Sequence, residues 1–287
     1  YRVIMKKTII LCITFAFFSC TENPFGGDKK IADKTITGRV KLEQVEYYPK
    51  EYHGGVFVWS DGLGLKTKTD IDGSFELVLP ASNDPSNGAI IDGDYKIYFF
   101  LGNYKISTVN ITFAAGQVVN DDKVINLEGE LRRDVSMRRE VGVHTIVTPE
   151  VISSDYDNSI KIMVTVTPDR TEIYCNLRKV ENRGSTTYTG LLIKNIVTNQ
   201  LIYKVDIDSA SVMREYMDRP MQKLEIDFDY IGLNLPKGTY EIIPYLVLDR
   251  NDIPSHISQA MGPGIETFSE NYLNYPFYRT GGKFVIQ

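Results

Sequence analysis

From Thr35 onward the chain is written in short runs of alternating apolar and polar residues, each ended by a turn signal. Thr35 to Val45 alternates through Ile36, Gly38, Val40 and Leu42, and Val56-Phe57-Val58-Trp59 follows a glycine pair. Further runs occupy 64–69, 74–79, 94–101, 105–113 and 123–127. A period of two marks a strand, because successive side chains leave a strand on opposite faces. Asp61-Gly62, Asp72-Gly73, Asn87-Gly88, Asp92-Gly93 and Gly102-Asn103 separate the runs. Such pairs supply the positive φ or the side-chain hydrogen bonds that tight turns need. Roughly seven short strands with a turn every ~10 residues predict an antiparallel β-sandwich.

The same pattern resumes after a charged stretch, Glu128 to Glu140, that carries Arg132, Arg133, Arg138 and Arg139. It reads as a solvated crossing between domains, with a basic binding patch as the alternative. Strand-like runs follow at 160–167, 172–180, 188–196, 200–207, 223–228 and 239–248. One helix is expected, Asp208 to Arg219, opened by an Asp208-Ser209 cap and stopped before Pro220. The tail from Asn251 to Tyr278 is rich in proline, glycine and aromatics, and Lys283 to Ile286 is expected to close a sheet edge as a final strand. The 18 tyrosines and 13 phenylalanines suit strands. The expected architecture is all-β: two consecutive antiparallel β-sandwich domains, 35–130 and 143–287, joined by a linker at 131–142.

Four pieces in order carry a family resemblance: Ile36-Thr37-Gly38-Arg39-Val40, Gly55-Val56-Phe57-Val58, Thr69-Asp70-Ile71-Asp72-Gly73-Ser74-Phe75 and Gly93-Asp94-Tyr95-Lys96-Ile97. Together they resemble the carboxypeptidase regulatory-like domain, a transthyretin-like β-sandwich. The resemblance implies a non-catalytic spacing or binding role beside another domain. In the second half, Leu235 to Ile242 resembles a penultimate strand of immunoglobulin-like or fibronectin-like modules, which implies an Ig-like sandwich.

The first residues read as an export signal. Met5 is taken as the initiator, Lys6 and Lys7 as the positive start, and Thr8 to Phe18 as an uncharged apolar stretch. A spanning helix needs roughly 20 apolar residues, so this stretch is short for a span and suits a secretory signal peptide. Phe17-Phe18-Ser19-Cys20 resembles the lipobox of bacterial lipoproteins. That implies removal of residues 1–19, lipidation (palmitate included) of Cys20 as the new N-terminus, and a flexible tether over 20–34. The alternative is ordinary cleavage nearby that leaves Cys20 free. Thr21 stands where an inner-membrane retention aspartate would, so the resemblance implies the outer membrane. Several acyl chains at about 0.8 kcal/mol per buried methylene anchor stably.

Cysteine usage and charge narrow the rest. Cys12, Cys20 and Cys175 are the only cysteines; lipidation would leave Cys175 with no partner for an intramolecular disulfide, so it reads as a buried strand residue. Residues 1–19 hold three basic residues and no acid, so their loss takes the formal charge from −5 to −8. That sign opposes nucleic-acid binding, which needs a basic face.

Nothing in the sequence assembles a catalyst. His53, His144 and His256 stand apart in sequence and fit no metal-ligating spacing. No serine-hydrolase elbow is present. Asp70-x-Asp72-Gly73 reads as a turn; a calcium loop would need a glutamate at its twelfth position, which is Ala81. No cofactor, no metal and no enzymatic activity are expected. The candidate binding residues are Tyr47, Tyr48 and Tyr52 in one loop and Tyr272, Tyr275 and Tyr278 near the C-terminus, against the alternative that these rings pack inward. Two functions follow, a scaffold for an envelope protein partner or a glycan binder with an aromatic platform, with a carbohydrate-active enzyme as the remaining alternative.

Overall fold

The computed structural model describes residues 34–43, 52–80, 90, 92–169, 173–205, 207–217, 222–229, 233 and 235–287. Cys20, Tyr47 and Tyr48 lie outside the described residues. The first eight strands are β1 (Thr35–Leu42), β2 (Phe57–Ser60), β3 (Lys66–Lys68), β4 (Ser74–Val78), β5 (Gly93–Phe100), β6 (Ser107–Ala114), β7 (Gln117–Val118) and β8 (Val135–Met137). They form two sheets, ordered β4-β1-β8 and β3-β2-β5-β6-β7. Ile36, Val40, Phe75 and Leu77 from one sheet meet Val58, Ile97, Phe99, Ile111 and Phe113 from the other in a shared core.

The second module holds β9 (Val141–Thr148), β10 (Val151–Ile152), β11 (Ile160–Pro168), β12 (Ile173–Asn182), β13 (Ser185–Tyr188), β14 (Leu191–Asn195) and β15 (Leu201–Lys204). It continues with β16 (Ser211–Met217), β17 (Gln222–Phe228), β18 (Gly238–Pro244), β19 (Leu246–Asp249), the short helix α1 (Ser255–Met261), β20 (Thr280–Gly281) and β21 (Lys283–Ile286). Three sheets result: β10-β21-β18-β14-β15, β17-β11-β9-β20, and β13-β12-β16 with β19 also on β12. Alternation drives their burial: Ile160, Ile162, Val164 and Val166 of β11 all point into one core with Val143, Val147, Tyr240, Ile242 and Phe284. The chain is all-β, as the alternation predicts, with α1 and a 3₁₀ turn at Glu270–Asn274 as helical exceptions among the described residues.

Three expectations are corrected. The segment expected as a helix from Asp208 is the strand β16, paired with β12 over its whole length from Ile173↔Met217 to Lys179↔Ser211. Asp208 and Ser209 instead form a tight turn closed by Ala210 N–H donating to the Ile207 carbonyl at 2.9 Å. A ladder of seven residue pairs outweighs a cap worth ~1 kcal/mol. The charged stretch read as a linker contributes β8, which runs parallel to β1 with Val135 and Met137 buried in the first core. Finally, β21 does not close an edge; it lies inside its sheet between β10 and β18.

Residues Lys34–Gln287 form one compact unit. The reason is β2 and the end of β5 (Ile97, Phe99 and Phe100), which are buried on both faces. Val58, Ile97 and Phe99 enter the first core, while Phe57, Trp59 and Phe100 enter the second. Such stretches, Phe57-Val58-Trp59 and Tyr98-Phe99-Phe100, read as continuous apolar runs because both faces are covered.

Candidate functional site

The seam between the modules is built by the C-terminal segment. Trp59 stacks on His256 of α1 with ring centroids 6.4 Å apart, and Phe100 meets Tyr275 edge-on at 6.0 Å. Gly102 donates its N–H to the Pro276 carbonyl at 2.6 Å, and it is glycine for a steric reason. A Cβ there would stand 2.6 Å from Tyr275 Cε1 and 2.9 Å from Phe277 Cδ2. Its neighbour Asn103 is fully buried and works as a three-way clasp. Its amide donates to the carbonyls of Val141 at 2.9 Å and Tyr278 at 3.1 Å, and its carbonyl accepts the Tyr278 N–H at 3.0 Å.

Charged pairs edge the same seam. Arg250, with its side chain 8% exposed, grips Asp252 through two bonds of 2.6 and 2.7 Å and donates to the Tyr104 carbonyl at 2.6 Å. Those bonds, ahead of the opposing effect of burial, hold the Asp252 carboxyl below its ordinary pKa. Arg139, buried, forks onto both oxygens of Asp169 at 2.5 and 2.7 Å while its N–H reaches a Glu43 carboxylate oxygen at 3.1 Å. Two-bond pairing of this kind fixes orientation as well as charge.

Beside the seam opens a cleft of about 570 Å³. Its base is a row of charge across three neighbouring strands. Lys194 of β14 sits opposite Glu241 of β18, which sits opposite Lys283 of β21, and Lys194 Nζ meets Glu241 at 2.8 Å. A glycine pair carries the chain from β20 in one sheet to β21 in another, between Arg279 and Lys283. Gly281 and Gly282 hold φ of 73° and 78°, and a Cβ on Gly281 would lie 2.0 Å from the Thr145 carbonyl oxygen. Only glycine tolerates both demands.

Arg279 is the most constrained cation of the cleft. It donates to the Tyr272 hydroxyl at 2.5 Å and to the Phe277 carbonyl at 3.3 Å, and its guanidinium lies over the Phe277 ring at 4.4 Å. Among the described residues neither Arg279 nor Lys283 has a carboxylate partner. His144 lines the wall, its Nδ1 2.8 Å from Thr280 Oγ1. At the mouth Tyr52 and Tyr278 stack at 4.9 Å with planes 17° apart. Burial first, and the Glu241 carboxylate second, push the Tyr52 hydroxyl above its ordinary pKa, so it remains a neutral donor.

The tyrosines therefore separate by role. Tyr272 is fully buried and Tyr275 is 3% exposed, with burial raising the Tyr275 hydroxyl far above its usual range. They are seam and core residues: Tyr272 donates to the Leu246 carbonyl at 2.7 Å and stacks on Tyr275 at 5.6 Å. Tyr52 and Tyr278 are half-exposed, but they face each other and do not lie side by side as a flat platform. Asp72 serves a turn, accepting from Ser74 N–H at 3.0 Å and Ser74 Oγ at 2.6 Å beside Arg39 at 3.2 Å. No cluster of three metal-ligating side chains occurs among the described residues. Sequence reasoning missed Arg279, Lys283, Lys194 and Glu241, since their meeting depends on strand register. The one legible signal was Gly281-Gly282 between two cations.

No protein-family model matches the chain, and no curated protein matches it. Among the solved structures with slight similarity are two of one pilin. One is the crystal structure of BcpA, the major pilin subunit of Bacillus cereus: 12% identity over 75% of this chain and 66% of that chain, with a TM-score of 0.25. The other is a single-substitution variant of the same pilin: 10% identity over 86% of this chain and 98% of that chain, with a TM-score of 0.24. A likeness this slight carries nothing further for fold or function.

Proposed function

We propose that this is an exported lipoprotein, anchored through Cys20 in the outer membrane, whose two β-sandwich modules form a stiff non-catalytic scaffold for a protein partner in the cell envelope. The observation that supports it is the seam. Phe57, Trp59 and Phe100 are withdrawn from water against Phe277, Tyr275 and α1. Each large side chain so buried is worth about 1.5–3 kcal/mol over its exposed state. Independent domains on a string do not bury aromatic rings in each other. A spacer that must hold a binding face at a fixed distance from a membrane does.

The face offered to a partner is β16, the last strand of its sheet among the described residues, where Val212 is 49% and Tyr216 40% exposed beside Arg214. Exposed strand edges are ready templates for another chain. Two experiments test the reading. Metabolic labelling with palmitate is expected to mark the wild-type chain and to vanish in Cys20→Ala; label absent from the wild type contradicts the anchor. Photo-crosslinking from Val212 or Tyr216 in intact cells is expected to trap a discrete protein species, whereas the same probe at Leu127, 70% exposed on the first module, does not. Silence from both β16 positions contradicts the partner.

A further inference from the structure

We infer that the groove between β6 and β8 takes an extended acidic peptide segment of a partner protein, added as a strand along the free edge of β6. This inference rests neither on the membrane anchor nor on the β16 face.

The backbone comes first. Lys105 donates its N–H to the Arg138 carbonyl at 2.8 Å, and Ser107 Oγ donates to the Ser136 carbonyl at 3.0 Å, so the two sheets of the first module touch where β6 begins. Beyond that contact the strands follow different sheets, and a groove of about 450 Å³ opens between them. Thr112 turns its carbonyl away from β5, where it accepts the Val119 N–H at 2.9 Å. Backbone direction alternates along a strand, so Thr108 and Asn110 turn their N–H and C=O groups the same way, into the groove. Among the described residues no backbone group meets them there. Unpaired groups of this kind are a template for another strand, and main-chain bonds to such an edge supply the affinity.

The floor comes second. Val109 and Val124 are half-buried there beside Leu131 and Val135, each 8% exposed. Side chains of an added strand point alternately to opposite faces, so every second residue of the occupant is apolar. Ser107 to Asn110, at ~3.4 Å per residue, offer an edge of about 14 Å, which has room for roughly four or five residues.

The rim comes third. Lys123 and Arg133 stand there, both exposed and, among the described residues, without a carboxylate partner. The one carboxylate of the lining, Asp134, is engaged by Lys41 at 2.6 Å. The rim is therefore cationic in a chain of formal charge −5, and it selects acidic residues between the apolar ones. A free anion would use the two cations but leave the apolar floor and the backbone edge uncovered.

The test is fluorescence anisotropy of the labelled peptide Gly-Val-Glu-Val-Glu-Val-Gly titrated with the purified full chain. Saturable binding is expected. A version with lysine for glutamate is expected to bind at least about tenfold more weakly, since a hydrogen bond to a charged group is worth roughly that factor or more. A version N-methylated throughout, which offers β6 no N–H, is expected to lose binding by about tenfold or more as well. Lys123→Ala combined with Arg133→Ala, two exposed positions, is expected to weaken the acidic peptide about tenfold or more. Thr108→Pro, which removes an N–H on the groove side and spares the β5 ladder, is expected to weaken it too. No saturable binding of the acidic peptide overturns the inference. So does equal binding of the lysine or the N-methylated version, or wild-type affinity in the double variant. Self-association of the chain that the acidic peptide displaces would assign the groove to a second copy and overturn it as well.

Discussion

Gly102 shows how much of the architecture can depend on one missing methyl group. Its Cα faces two rings of the seam, so Gly102→Ala forces Tyr275 and Phe277 outward. Overpacking of that kind costs about 1–3 kcal/mol, and thermal denaturation is expected to show a lower Tm with Trp59 partly unburied. An unchanged Tm means the rings yield freely. Cys175, on β12 and fully buried, has its thiol pushed up to about 12, by burial first and the Asp249 carboxylate second. The thiolate is the reactive form, so peptide mass spectrometry should find Cys175 unlabelled by iodoacetamide in the native chain at neutral pH and labelled after unfolding. Native labelling would contradict its placement. Asp252 sets the pH response of the clasp. Its folded pKa is depressed, so the stabilisation it gives is complete above the ordinary carboxylate pKa, about 4, and is lost as pH falls through the lower folded value. The urea midpoint is therefore expected to drop in acid, and Asp252→Asn is expected to drop less over the same window. An identical acid drop in the variant would place the effect elsewhere.

At the level of elements, period-two patterning was highly legible and its limits are physical. The runs at Ile160, Lys223 and Thr239 predict β11, β17 and β18 because one face of each meets the core and the other meets water or a neighbour. Segment 208–219 misled because Asp208-Ser209 signals a helix cap and a tight turn alike, and only the β12 ladder decides between them. The charged stretch misled because Val135 and Met137 are too few to stand out among arginines, although they complete the first sheet. The cleft was invisible for a different reason: Lys194, Glu241 and Lys283 lie far apart in sequence and meet only through strand register. Tyr272 and Tyr275 were legible as aromatics, but their side chains' destination depends on the seam. β21 carries the element-scale prediction. Phe284 is 1% exposed and stacks on Tyr240 at 5.3 Å in the interior of its sheet. Phe284→Ala is expected to cost about 3–5 kcal/mol by denaturant titration, whereas an expendable edge strand would lose far less.

Over the whole molecule, the arrangement of β2 and β5 decides the behaviour. One sheet serves two cores, with Val58 and Phe99 on one side and Trp59 and Phe100 on the other. Neither module can melt without exposing apolar surface of its neighbour, so the two are expected to unfold together despite a combined size that usually permits separate domains. Trp59 makes this directly observable, since it is the single tryptophan of the chain and lies 6% exposed at the seam. The measurement is equilibrium urea unfolding followed at once by Trp59 fluorescence and by far-ultraviolet circular dichroism. Coincident single transitions are the predicted result. A fluorescence transition that precedes a separate loss of β-structure would show a seam that opens while the modules stay folded, and would contradict the rigid scaffold.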